Sequence, residues 1–94
     1  MSIYKCCLVW ILCINNDCSI AEEYIRVKLY FPMFIRCLMN NTKDKKEIKI
    51  CNSILEAFNR YDKVWQSDGC TDMDRWRVLC YDEYGFIGWL KNKS

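Results

Sequence analysis

Histidine is absent from this 94-residue chain, and proline (one) and glycine (three) are scarce. Without histidine, the commonest general acid–base side chain and the commonest metal-binding ring are missing, and Ser-His-Asp and Cys-His catalysis are excluded. No two cysteines stand as CxxC, the close pair with which zinc modules present two thiolates from one turn, so neither a structural metal nor any cofactor is expected. A dominant charge is missing too. Lys and Arg number 14 against 12 Asp and Glu, a formal net charge of +2, and Lys43-Asp44-Lys45-Lys46-Glu47 interleaves the signs. That balance argues against a nucleic-acid partner and against strong attraction to an anionic membrane. The longest unbroken apolar run, Cys6 to Ile14, covers about half of a bilayer span, so a transmembrane helix is not expected.

What is present in quantity is cysteine: eight residues in a chain that is 52% apolar. Such density reads as a disulfide scaffold in a secreted chain, and as metal or redox chemistry in a cytosolic one. The N-terminus bears on the compartment. Met1 to Lys5 is a short segment with one Lys, Cys6 to Ile14 is apolar, and Asn15, Asn16 and Asp17 turn polar. Ser19 and Ala21 then supply small residues at the −3 and −1 positions of a cleavage site. The expectation is a signal peptide over residues 1–21 and one small domain over 22–94, located outside the cell. A buried N-terminal helix of the mature fold is the competing reading. Cleavage after Ala21 removes Cys6, Cys7, Cys13 and Cys18 and leaves Cys37, Cys51, Cys70 and Cys80, an even set suited to two disulfides. Asn40-Asn41-Thr42 is an N-glycosylation sequon in the most polar stretch of the chain, with Asn40 the acceptor.

Three segments show periodicity. Ile25, Val27, Leu29 and Phe31 alternate as in a strand, while Ile25, Leu29 and Met33 also fit a helix; a helix that begins or bends at Pro32 is favoured. Ile48, Cys51, Ile54, Leu55, Phe58, Tyr61 and Trp65 form one helical stripe over about Lys45 to Trp65, opened by Asp44 and Glu47 in capping-box spacing and closed at Ser67-Asp68-Gly69. Thr71 and Asp74 repeat the cap before a stripe of Met73, Trp76, Cys80 and Tyr84, with a short β-hairpin as the alternative there. Phe86 to Leu90 is expected to pack back over the core. The fold class is therefore all-α: a small disulfide-stabilised bundle of three to four short helices. If residues 71–84 are helical, Cys70 and Cys80 lie about 15 Å apart along the axis, too far for a bridge. Cys51–Cys80 is then the expected pair, leaving Cys37–Cys70.

The function expected is non-enzymatic: binding of a protein or of a small apolar ligand. Trp89 and Tyr61 are the candidate anchors, since Trp and Tyr dominate binding hot spots. Cys51, Tyr61 and Cys70 follow one another in an order that resembles the bicycle effectors secreted by gall-forming aphids, a likeness confined to residues 51–70. It implies a secreted effector role. Three other readings compete. Asp72, Asp74, Asp82 and Glu83 could serve a hydrolase, although solvated charges explain them better. Apolar stripes joined to a small positive charge could make a membrane-active, toxin-like peptide. An unprocessed intracellular helical module would keep all its thiols reduced.

Overall fold

The computed structural model describes residues 2–14, 20–63 and 85–94. They form four helices, α1 (Ile3–Ile14), α2 (Ile20–Asn41), α3 (Lys45–Lys63) and α4 (Phe86–Lys93), with no strand among the described residues. The all-α class is thus observed. The stripe expected over residues 71–84, its hairpin alternative, Trp65 and the four carboxylates lie outside the described residues.

The N-terminal segment forms an amphipathic helix. Ser2 opens it: its Oγ accepts the Lys5 backbone N–H at 3.1 Å, and its carbonyl accepts the Cys6 N–H at 3.0 Å. Ile3, Cys7, Ile11 and Ile14 recur at helical spacing, and Cys7 and Ile11 are fully buried, while Val9 and Leu12 face outward. α1 packs most extensively on α4 and also touches α2 and α3. Full burial of one Ile side chain stabilises by roughly 1.5–3 kcal/mol, so α1 is a substantial part of the core.

The second helix runs through Pro32 without beginning there. Proline has no N–H, so the carbonyl of Lys28 receives no helical bond from residue 32; an interior proline costs ~3 kcal/mol. Packing offsets that cost, because Val27, Phe31 and Ile35, on the turns around it, are all fully buried. The strand-like alternation before Pro32 has no structural counterpart. Val27 and Phe31 point into the core, whereas Ile25 and Leu29 point out. A period of 3.6 separates residues that a period of 2 would place together.

The third helix follows its stripe closely: Cys51, Ile54, Ala57 and Phe58 are buried, and Leu55 and Tyr61 pack partly against them. Asp44 caps it as expected, with Oδ1 accepting the Lys46 N–H at 2.9 Å. The reciprocal half of the capping box differs. The Glu47 carboxylate accepts the Thr42 hydroxyl, and Thr42 Oγ1 in turn accepts the Asp44 N–H at 3.2 Å. Thr42 thus stands between the two acids and holds the α2–α3 turn.

The C-terminal segment packs back as expected. Gly85 leads into α4 in an extended conformation and its carbonyl accepts the Trp89 N–H at 3.0 Å. Phe86, Ile87, Gly88 and Leu90 are buried, and Lys91 and Lys93 lie in the last turn, where cations oppose the helix dipole favourably.

All four helices meet in one aromatic cluster. The Phe31 ring lies 5.6 Å from Trp10, 5.2 Å from Phe58 and 5.4 Å from Phe86, centroid to centroid, taking one partner from each other helix. Trp10 also stacks on Phe34 at 5.2 Å with 13° between planes. Offset-stacked and edge-to-face pairs of this kind contribute about 0.5–1.5 kcal/mol beyond burial.

Candidate functional site

Two groupings of side chains are candidates: the cysteines at the centre of the bundle and the apolar residues on its outside. Cys7 on α1 and Cys51 on α3 are fully buried members of the same core cluster. Burial pushes the Cys7 thiol up from 9.0 to about 12, with smaller contributions from the neighbouring Cys51 and Cys6 sulfurs. Burial, then the Glu47 carboxylate, raises Cys51 as well. A nucleophilic or metal-binding sulfur needs the thiolate, which this surrounding disfavours, so at neutral pH both residues act as small hydrophobes.

Cys6, Cys7, Cys13, Cys37 and Cys51 are free thiols in the structure. The disulfide staples expected at Cys37 and Cys51 are therefore not part of the observed architecture, and Cys70 and Cys80 lie outside the described residues. Cys37 is exposed, whereas Cys51 is buried against α1. Among the described residues, no group of three or more Cys, Asp or Glu is arranged to hold a metal ion.

The two expected anchors are set into the rim of the core. Trp89 is half-buried: it stacks on Phe86 at 6.0 Å, meets Tyr4 edge-on at 5.9 Å, and carries Lys93 Nζ 5.8 Å above its ring. Tyr61 tilts against Phe86 at 6.3 Å, with the Arg60 guanidinium 5.3 Å from its ring centroid. Asn40 is exposed near the end of α2, and Thr42, the third sequon residue, is committed to the turn.

The most distinctive surface is the outer face of α2, whose residues fit helical spacing in the sequence but turn out to face away from the core. Ile25, Leu29 and Met33 are each more than half exposed, and Tyr30 stands beside them. With 3.6 residues per turn, residues four apart form a single ridge, and the fully buried Val27, Phe31 and Ile35 occupy the opposite side. A helix in this position needs only one apolar face to build the core. α2 has two, and an exposed apolar ridge bordered by polar residues is the signature of an interaction surface. Arg26, Lys28 and Arg36 border the ridge. On α1, Leu12 and Val9 are also outward-facing, at 69% and 44% exposure.

No protein-family model, no curated protein and no solved structure matches this chain. No helix among the described residues is long and apolar enough to cross a membrane.

Proposed function

We propose that this chain is a non-enzymatic binding module that works with α1 in place, in a reducing compartment, and presents the outer face of α2 to a partner. The observation that carries the reading is the burial of α1. Cys7 and Ile11 have no meaningful exposure, and Trp10 stacks on Phe34 beside the central Phe31. Removing residues 1–21 would strip the cover from α4 and uncover the aromatic cluster. The sulfurs of Cys7 and Cys51, buried as protonated thiols, suit an environment in which cysteines stay reduced. The working surface is then the ridge of Ile25, Leu29 and Met33.

A second reading is favoured by the nine-residue apolar run from Cys6 and by the small residues Ser19 and Ala21. In it the chain is exported, cut after Ala21, closed by two bridges among Cys37, Cys51, Cys70 and Cys80, and open to glycosylation at Asn40. N-terminal sequencing of the protein recovered from expressing cells, with a count of alkylatable thiols under denaturing conditions, separates the two. The first reading expects a start at Met1 or Ser2 and eight alkylated cysteines. A start at Glu22 with no free thiol overturns it in favour of the second.

A further inference from the structure

Two buried thiols on different helices lie together inside the bundle, and the binding-module reading leaves them unused. Cys7 on α1 and Cys51 on α3 are fully buried in one core cluster, and α1 touches α3. Burial has the largest influence on the Cys7 thiol, Cys51 the next, and Cys6, its own neighbour in the chain, the last. Electrostatic influence falls with separation, so across the helix contact the Cys51 sulfur lies about as close to Cys7 as the adjoining residue does. The other described thiols are placed differently. Cys6 and Cys13 share one helix at a spacing of seven, roughly 10 Å along the axis and beyond the ~7 Å that a bridge allows. Cys37 is exposed on α2 and is no member of the core cluster.

From this we infer that Cys7 and Cys51 form a redox-responsive staple: a hydroperoxide joins them as a disulfide, which fastens α1 to α3. The inference rests on the binding-module reading, in which α1 stays in the chain, and adds a regulation to it. In the first step one of the two sulfurs, as thiolate, attacks a peroxide oxygen. The O–O bond breaks, a sulfenic acid forms, and the departing hydroxide takes up the thiol proton as water. The second sulfur then attacks the sulfenic sulfur; the S–S bond forms, the S–O bond breaks and a second water leaves. Two thiols are oxidised and one peroxide is reduced, with no other reactant. Both thiols sit where the thiolate is disfavoured, so the reaction is slow at neutral pH and answers sustained rather than brief oxidation. A cross-link from Cys7 to Cys51 closes a loop that contains α2, and closing so long a loop restricts the unfolded chain.

The test exposes dilute full-length protein to hydrogen peroxide, then removes the peroxide, blocks remaining thiols with N-ethylmaleimide in denaturant and maps peptides without reduction. Intact mass confirms the 11.4 kDa chain at the start. The expected result is a peptide pair joined through Cys7 and Cys51, about 2 Da lighter than the two reduced peptides together. The oxidised protein also unfolds at higher urea than the reduced one, and dithiothreitol reverses the shift. Cys7→Ala and Cys51→Ala each abolish the shift, whereas Cys6→Ala keeps both the linkage and the shift. A full-length chain in which Cys51 joins Cys6, Cys37, Cys70 or Cys80 instead overturns the inference and leaves the binding-module reading standing. So does a full-length chain in which Cys7 and Cys51 are both recovered blocked, or a Cys7–Cys51 linkage that lowers the urea midpoint. A chain recovered with its N-terminus at Glu22 has no Cys7 and overturns both.

Discussion

Phe31 is the residue on which the fold turns, because it is fully buried and its ring meets one aromatic ring from each of the other three helices. Truncation there leaves a cavity that four elements must close at once. Phe31→Ala is expected to cost about 3–5 kcal/mol, read as a lower midpoint in urea denaturation with an unchanged slope. A loss under 1 kcal/mol would mean that the cluster does not hold the helices together. The thiols give a second prediction at this scale. Exposed Cys13 and Cys37 should alkylate readily in the native state, while Cys7 and Cys51 should be protected until the protein unfolds. Peptide mass mapping after a short iodoacetamide pulse reads this directly. Rapid labelling of Cys7 at neutral pH contradicts its burial.

The same thiol gives a pH dependence. The ordinary value for Cys7 is 9.0 and its folded value is about 12, so between those limits the unfolded chain loses a proton that the folded chain keeps. The stabilisation from burying Cys7 as a neutral thiol is therefore complete below pH 9 and lost progressively as pH rises towards 12. Urea titrations at pH 8, 9, 10 and 11 should show falling stability, and Cys7→Ala should flatten that slope. An equally steep slope in the variant would assign the effect to another group.

Each helix owes its existence to a different balance of local and tertiary signals. α3 was the most legible element, because its stripe from Cys51 to Tyr61 and its Asp44 cap are both local. Asp44→Ala should cost about 0.5–2 kcal/mol, and Asp44→Asn, which keeps an acceptor for the Lys46 N–H, should recover most of it. Equal losses in the two variants would show that Asp44 does not cap through its side chain. The α2 register was less legible. Ile25 to Met33 is apolar on both faces, so neither period stands out, and only the burial of Val27, Phe31 and Ile35 decides it. Pro32 left the start of α2 ambiguous for a related reason. Its local cost is visible in sequence, while the packing that offsets it comes from α1, α3 and α4. The role of Thr42 was hidden as well, since a hydroxyl five residues from Glu47 lies outside the usual capping spacing. Ile25, Leu29 and Met33 share a helical spacing in the sequence, but their outward direction was hidden, because the sequence supplies apolar residues without saying which of them the core consumes.

For the molecule as a whole, the question is whether residues 3–14 are a leader or a wall of the core. In sequence the two look alike, for both need a short apolar helix. The distinction is one of sidedness. A leader has no preferred face, whereas α1 buries Cys7 and Ile11, stacks Trp10 on Phe34 and sets Tyr4 on Trp89. A chain of 94 residues has little interior to spare, so a helix that touches all three others is a large share of its stability. Ile11→Asp, which buries an unpaired charge, should unfold the full-length protein or leave it without sharp near-ultraviolet dichroism. Native structure retained in that variant would place α1 outside the core.

Native-state hydrogen exchange of the full-length protein asks the same question without changing a residue. Amides of residues 7–14 should exchange as slowly as those of Ile54 to Phe58 in α3, because both segments open only when the aromatic cluster comes apart. Exchange of residues 7–14 as fast as that of the exposed C-terminal residues 91–94 would show that α1 is no part of the fold.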